Sequence, residues 1–311
     1  MAKILVTGAA GFIGSHTTDL LLASGHDVVG LDNFRTGREQ NLSSALRHPR
    51  FRLLRADITS EGLLARVAAT EQPDAILHLA ALVSVPESIA DPALNRRLNL
   101  EATQLVTAAA AASGSIRRIA FASSAAVYGA NSDLPLRETA ATSPLSPYGT
   151  AKLSSEGVLA ELVRAHPAIS TVALRYFNVY GPRQDPHSPY SGVISLLAAA
   201  FREGRPFSLE GDGSQTRDFI AVADVARANL LALTKPVTGA QVVNVCTGTA
   251  TTLAEIIRVM ESITGRPLNP GRKPAREGDI RHSLGSPRAA QDLLGFRSTR
   301  STDEGLRAFL A

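Results

Sequence analysis

Ile4-Leu-Val-Thr-Gly-Ala-Ala-Gly-Phe-Ile-Gly14 runs a short apolar segment straight into three glycines spaced three apart, and its reading decides the fold. Ile4–Thr7 is a buried-strand pattern and Phe12–Ala23 continues with apolar residues at helical spacing, so Gly8, Gly11 and Gly14 occupy a strand-to-helix turn. Glycine there lets the backbone turn tightly and approach a pyrophosphate, for which the helix start supplies free N–H groups and partial positive charge. Asp32 closes the next strand pattern eighteen residues beyond Gly14. A carboxylate at that place accepts hydrogen bonds from ribose hydroxyls and repels a ribose phosphate, so the motif predicts NAD rather than NADP as cofactor.

Outward from that unit, β-branched runs alternate with Ala- and Leu-rich stretches. Strands are expected at Val28–Leu31, Arg52–Ala56, Ala75–Leu79, Arg118–Ser123 and Thr171–Phe177, and helices at Leu94–Ala112 and Tyr148–Arg164. This alternation predicts an α/β fold, a doubly wound parallel sheet with helices on both faces. After Phe177 the pattern changes to a Pro- and Gly-punctuated segment, Gly181 to Gly192, then a helix and a loop over Gly211–Arg217. The expected division is a nucleotide-binding domain over residues 1–177, to which residues 218–246 return as helix and strand, and a smaller C-terminal lobe from residues 178–217 and 247–311.

The 311 residues are 44% hydrophobic and 19% charged, which fits a globular chain and argues against disorder. No segment approaches twenty uninterrupted apolar residues, so no membrane partner is expected, and the absence of a leader pattern before Lys3 points to a cytoplasmic location. The single cysteine, Cys246, follows a buried-strand pattern and reads as structural. The net charge of +4 is dispersed among acids, and the basic stretch from Arg266 to Arg300 has no interleaved aromatic platform, so a small phosphorylated ligand is favoured over nucleic acid.

Tyr148 and Lys152 stand four apart at the start of a predicted helix and therefore share a face. A free phenol titrates near 10, and bringing it close to neutrality requires roughly 4 kcal/mol of preferential phenolate stabilisation. Lys152, one of four lysines, and an oxidised nicotinamide are the positive charges expected to provide it. Tyr148 is then a general base towards a sugar hydroxyl. Ser123 and Ser124 lie at the C-terminal end of the preceding strand, where open α/β sheets bind ligands, and place a hydroxyl for the same substrate oxygen.

The chain resembles the extended short-chain dehydrogenase/reductases, which carry a Rossmann domain, and among them the UDP-glucose and UDP-N-acetylglucosamine 4-epimerases. The likeness rests on Thr7 to Gly14, Leu31-Asp-Asn33, Asp57-Ile58, His78-Leu-Ala-Ala81, Ser124 to Gly129, Tyr148-Gly-Thr-Ala-Lys152, Arg175-Tyr-Phe-Asn-Val-Tyr-Gly-Pro182 and Gln215-Thr-Arg-Asp-Phe219, in that order. The resemblance implies Ser124, Tyr148 and Lys152 as catalytic residues. It implies a cofactor site formed by Gly8, Gly11, Phe12, Ile13, Gly14, Asp32, Asn33, Thr36, Gly37, Asp57, Ile58, Leu79, Ala80, Ala81, Asn99, Ser123, Tyr148, Lys152 and Tyr176, with Asp57 and Ile58 at the adenine and Asn99 near the nicotinamide. For the UDP-sugar it implies Ser84, Ser124, Tyr148, Asn178, Val193, Arg217, Arg276, Asp279 and Ser283. In that set Asn178, Arg217 and Arg276 meet the diphosphate and Asp279 the uridine ribose.

Two acids depart from the family pattern: Glu87 stands near a position that is often basic, and Glu210 near one that is often aromatic. Related dehydratases and decarboxylases carry an acid just after the serine or threonine, where this chain has Ala125 and Ala126. Without that proton donor the expected reaction is oxidation and re-reduction at C4 of a UDP-hexose through a transient 4-keto intermediate. UDP-glucuronate 4-epimerase is the alternative; its relatives tend to carry threonine in place of Asn178. A non-catalytic dinucleotide-sensing protein is a further alternative, opposed by the retained Tyr148 and Lys152. Ser283, where a tyrosine resembles enzymes restricted to the non-acetylated sugars, implies room for an N-acetyl group. Family members pair two helices per subunit, here Leu94–Ala112 and Tyr148–Arg164, so a homodimer is expected.

Overall fold

In the computed structural model, residues 1–185, 192–204, 206–268, 270–274 and 280–310 are described. The central sheet is built from β1 (Lys3–Thr7), β2 (Asp27–Asp32), β3 (Phe51–Arg55), β4 (Ala75–His78), β5 (Arg118–Ser124), β6 (Ser170–Tyr176) and, after a long excursion, the strand Ala240–Val245. The order is Ala240–Val245, β6, β5, β4, β1, β2, β3, and every pairing is parallel. Order reverses between β1 and β4, so a crevice opens at their C-terminal ends.

Helices cover both faces, as parallel strands buried on both sides require. On one face α1 (Phe12–Ala23) packs with a later helix over Val222–Thr234, around Ile4, Val6, Leu77, Val172, Leu174 and Val225. On the other, α2 (Leu63–Glu71) is joined by a segment that the sequence reads as one helix from Leu94 to Ala112. The structure resolves this segment further. After α3 (Val85–Ala90), Asp91 caps α4 (Pro92–Asn95), a π-helical turn spans Arg96–Glu101, and α5 (Ala102–Ala112) follows. Hydrophobic spacing could not show the one-residue widening. The long α6 (Pro147–Ala165) completes this face; Ser146 caps it by accepting from the Gly149 N–H, and Pro147 presets its first turn.

Beyond β6 the chain leaves the sheet and forms β7 (Asn178–Tyr180), α7 (Val193–Glu203), β8 (Ser208–Glu210), β9 (Thr216–Arg217) and β10 (Phe219–Ala221). The stretch from Asp218 therefore does not enter a helix at once: Phe219–Ala221 first pairs in parallel with β7, and only then does α8 (Val222–Thr234) begin. β11 (Ala240–Val245) returns to the main sheet beside β6. The Gly211–Arg217 loop also ends in regular structure, because Thr216 and Arg217 pair antiparallel with β12 (Thr251–Thr252). α9 (Leu253–Thr264), β13 (Gly271–Lys273), α10 (Arg288–Leu294) and α11 (Thr302–Leu310) follow. Ile194, Leu197, Phe201, Leu209, Ile256, Met260, Leu306 and Phe309 form a hydrophobic cluster separate from those on the two faces of the main sheet. Cys246 is buried against Val127, Tyr128, Leu136 and Phe177. Among the described residues no helix is long and apolar enough to cross a membrane.

Candidate active site

The crevice between β1 and β4 is shaped by backbone contact. Gly8 has φ +74°, and a β-carbon on it would lie 2.8 Å from the Ala80 nitrogen. At Gly14 a β-carbon would lie 2.0 Å from the Gly8 carbonyl oxygen, so the turn closes only with hydrogen there. α1 begins at Gly11 with no side-chain cap. The Phe12, Ile13 and Gly14 N–H groups thus have no partner in the described chain, an arrangement that suits an anion. The Asp32 carboxylate is buried and accepts the Ala10 N–H at 2.8 Å and the Phe34 N–H at 2.7 Å; burial pushes its pKa above the usual carboxylate range, making it a weaker acid, with both amides opposing.

Gly37 lies against the Asp32 carboxylate, and Thr36 is exposed in the same loop. Asn33 donates to Asp57 at 2.9 Å. Burial would raise Asp57, but Thr59 and Asn33 hold it below the usual carboxylate range. Ile58 is buried beside them. Leu79, Ala80 and Ala81 form the other wall, where the Leu79 and Ala80 N–H groups donate to the Thr7 hydroxyl at 3.2 Å. The residues expected at a dinucleotide are therefore gathered along one crevice. Its glycine cradle, uncapped helix start and strand-end carboxylate fit the diphosphate and ribose of NAD.

Tyr148, Lys152 and Ser124 meet where β5 ends against α6. The Ser124 hydroxyl accepts the Ala126 N–H at 3.2 Å and lies near enough to the Tyr148 phenol to act on its acidity, and the Tyr148 N–H donates to Ser88 of α3 at 3.2 Å. Lys152 Nζ lies 5.8 Å from the Tyr148 ring centre and 4.8 Å from that of Phe121. Burial brings the lysine down to about 7, opposed by Glu156. Burial also pushes the Tyr148 phenol above its usual value, with the neighbouring Ser124 hydroxyl opposing. The protein's own groups thus leave the phenol protonated at neutral pH; the further positive charge that the sequence argument invokes must come with the oxidised cofactor.

Beneath this trio a hydrogen-bond chain fixes the cleft walls. Thr7 accepts two N–H groups, so its own proton goes to His78 Nδ1 at 2.8 Å. His78 Nε2–H then faces the Thr103 oxygen at 3.3 Å, and Thr103 donates to the Asn99 carbonyl at 2.7 Å. That carbonyl lies in the π-helical turn, where the regular ladder is interrupted. The Asn99 side chain bonds both main-chain groups of Leu82. His78 is held neutral: burial, with the Lys152 charge adding, lowers it to about 3. Its place in the His78-Leu-Ala-Ala81 run was legible, but nothing in sequence disclosed this role.

Other expected residues divide. Ser84 is buried and caps α3, accepting the Glu87 N–H at 3.0 Å, while Glu87 pairs with Arg35 across the crevice mouth. The Tyr176 hydroxyl is committed to Asn229 at 2.5 Å, in a chain that continues to Thr17, so its ring and main chain alone remain for a cofactor. Asn178 begins β7 and reaches the Asp218 carbonyl at 3.3 Å. Val193 opens α7 behind Gly192. Arg217 and Ser283 are brought together: the Ser283 N–H donates to the Thr216 carbonyl at 3.1 Å, and Arg217 bonds the Thr216 and Arg281 carbonyls. Arg276 and Asp279 lie outside the described residues.

Two residues that sequence reasoning left aside organise these parts. Asp218 is fully buried and accepts from Thr247, Gly248 and Gly285, which joins the β9–β10 junction to the segment carrying Ser283. Glu156 is buried one turn beyond Lys152, on Arg175 and Ser123. Its signal was the spacing of four from Lys152.

A family model described as the NAD dependent epimerase/dehydratase family matches residues 4–246. The chain belongs to that family. Within the epimerase/dehydratase family, it is 38% identical over 304 residues to the UDP-glucose 4-epimerase of Mycolicibacterium smegmatis, covering 98% of this chain and 96% of that protein. A UDP-N-acetylglucosamine 4-epimerase from Methanobrevibacter ruminantium M1, solved with UDP-N-acetylmuramic acid, superposes with TM-score 0.93 at 34% identity, covering 99% of this chain and 97% of that one. The UDP-glucose 4-epimerase of Thermotoga maritima, solved with UDP-glucose, gives TM-score 0.92 at 35% identity, with coverages of 99% and 97%.

Proposed function

We propose that Ser124, Tyr148 and Lys152 carry out the 4-epimerisation of a UDP-hexose by this NAD-dependent enzyme, and that both glucose-type and N-acetylated sugars are substrates. The observation that carries the reading is the buried Lys152 beside the Tyr148 ring, with Ser124 next to the same phenol at the sheet's C-terminal edge. Gly8, Gly14 and the α1 start would hold the NAD diphosphate, and Asp32 the adenosine ribose. Bound there, NAD supplies the acceptor and then the donor of the C4 hydride. Tyr148 takes the proton of the C4 hydroxyl, Ser124 hydrogen-bonds the same oxygen, and the Lys152 ammonium favours the phenolate in the step that forms the 4-keto sugar. Return of the proton from Tyr148 completes the turnover on the opposite face of C4.

In this reading residues 178–217 and 247–311 form the lobe that takes the UDP-sugar. Asn178 and Arg217 meet its diphosphate, with Val193 at the pocket wall and Ser283 beside the sugar. Arg217 brings a planar fork suited to phosphate oxygens. The enzyme works as a homodimer in the cytoplasm, paired through α5, which shows Leu105 on its surface, and α6. The test is incubation with UDP-glucose, UDP-N-acetylglucosamine and UDP-glucuronate without added NAD, followed by chromatography of the sugars. Conversion of the first two and no net NADH is expected. Stoichiometric NADH would make the enzyme a dehydrogenase, and retained activity in Tyr148→Phe would remove Tyr148 from its role.

A further inference from the structure

Glu156 touches none of the reacting groups, yet it is tied to every element that carries one. Its carboxylate accepts from Arg175 Nε at 2.9 Å and Nη2 at 2.7 Å, a two-pronged ion pair, and from the Ser123 hydroxyl at 2.5 Å. Both partners of the ion pair are nearly inaccessible to solvent, at 5% and 7% side-chain exposure. Arg175 and Ser123 are register neighbours on β6 and β5. Ser123 precedes Ser124, and Glu156 stands one turn beyond Lys152, which in turn stands one turn beyond Tyr148.

We propose that Glu156 is a positioning residue whose buried carboxylate keeps Lys152 in its charged form and locks the Ser124 strand to the Tyr148 helix. This rests on the assignment of Tyr148 and Lys152 made above. Lys152 has no hydrogen-bond partner among the described residues, and its nitrogen is flanked by the rings of Phe121 and Tyr148. From β4 it is faced by His78, which is neutral; from β6, Tyr176 and Arg175 lie nearby, the former neutral and the latter bound to Glu156. Among the described residues Glu156 is thus the negative charge that offsets the burial cost of the ammonium, and the direction of its effect on Lys152 agrees. Without that carboxylate the ammonium is lost at lower pH, because only the charged form of Lys152 was being favoured.

The experiment is the pH dependence of kcat for the holoenzyme in wild type, Glu156→Gln, Glu156→Gln/Arg175→Met and Tyr148→Phe. Glutamine keeps the shape and can still accept from Ser123, and the double variant avoids leaving the Arg175 guanidinium buried without its ion-pair partner. The alkaline limb is expected to move to lower pH by roughly one unit in Glu156→Gln. The double variant should move in the same direction, since burial and Glu156 are the influences acting on Lys152. A brace without electrostatic function would lower kcat equally at all pH values; an alkaline limb that coincides with wild type in both variants overturns the proposal. It falls too if neither variant folds at any pH. Normal turnover by Tyr148→Phe would instead indict the assignment on which it rests.

Discussion

Between about pH 7.5 and pH 5 the native state should lose roughly 2 kcal/mol through His78 alone. Its imidazole is fully buried between Thr7 and Thr103, and its value falls from 6.5 in the free side chain to about 3 in the folded chain. The unfolded chain therefore takes up a proton as pH drops through 6.5, while the folded chain takes none until about 3. Stability from keeping this histidine neutral is complete above the upper value and is drained progressively towards the lower one. At about 1.4 kcal/mol per pH unit the full loss is roughly 5 kcal/mol. The comparison is urea unfolding of wild type and His78→Gln in saturating NAD at the two pH values. Glutamine can accept from Thr7 and donate to Thr103 but does not titrate. Wild type should lose about 2 kcal/mol more than the variant on acidification. Equal losses in the two proteins would refute the idea that the imidazole is held neutral.

Gly14→Ala should abolish NAD retention, since its methyl would sit 2.0 Å from the Gly8 oxygen; cofactor absorbance of the purified protein reads this directly. Ser283→Tyr should suppress turnover of UDP-N-acetylglucosamine while sparing UDP-glucose, at a crowding cost of roughly 1–3 kcal/mol or more, and equal rates on both sugars would remove Ser283 from the pocket. Arg118 donates to the Ala232, Lys235 and Val237 carbonyls at the end of α8 and to Ser170. Arg118→Ala should cost roughly 1.5–3 kcal/mol in unfolding while leaving kcat intact. Light scattering at micromolar concentration should give the mass of two chains, and a monomeric mass would count against pairing through α5 and α6.

The glycine turn, the order of strands and helices and the Tyr148–Lys152 spacing were legible because each follows from local rules. Phe12–Ala23 begins and ends where the apolar spacing places it. What was not legible depends on contacts between distant segments. The π-helical turn at Arg96–Glu101 adds no sequence signature, since one extra residue per turn shifts the apolar stripe by less than a helix face. Phe219–Ala221 reads as the start of a helix until β7 is beside it to pair with. Arg175 looks like a misplaced charge inside an apolar strand, until Glu156, the Glu138 carbonyl and the Tyr128 ring, all from other segments, are placed around it. Likewise Tyr176 stands in a motif that points to the cofactor, while its hydroxyl serves the packing of α8 on α1 through Asn229 and Thr17.

The return of β11 to the sheet has a bearing on how the chain can be made. β6 is complete by residue 176, and its buried run Thr171, Val172, Ala173 and Leu174 has one neighbour, β5, until residues 240–245 have been synthesised. During the intervening stretch a nascent chain presents an unpaired apolar edge, open to pairing with any other strand it meets. Fragments that stop short of β11 should therefore aggregate even though they contain the whole glycine loop and the Tyr148 helix, and the shortest soluble version of this protein should extend beyond Val245.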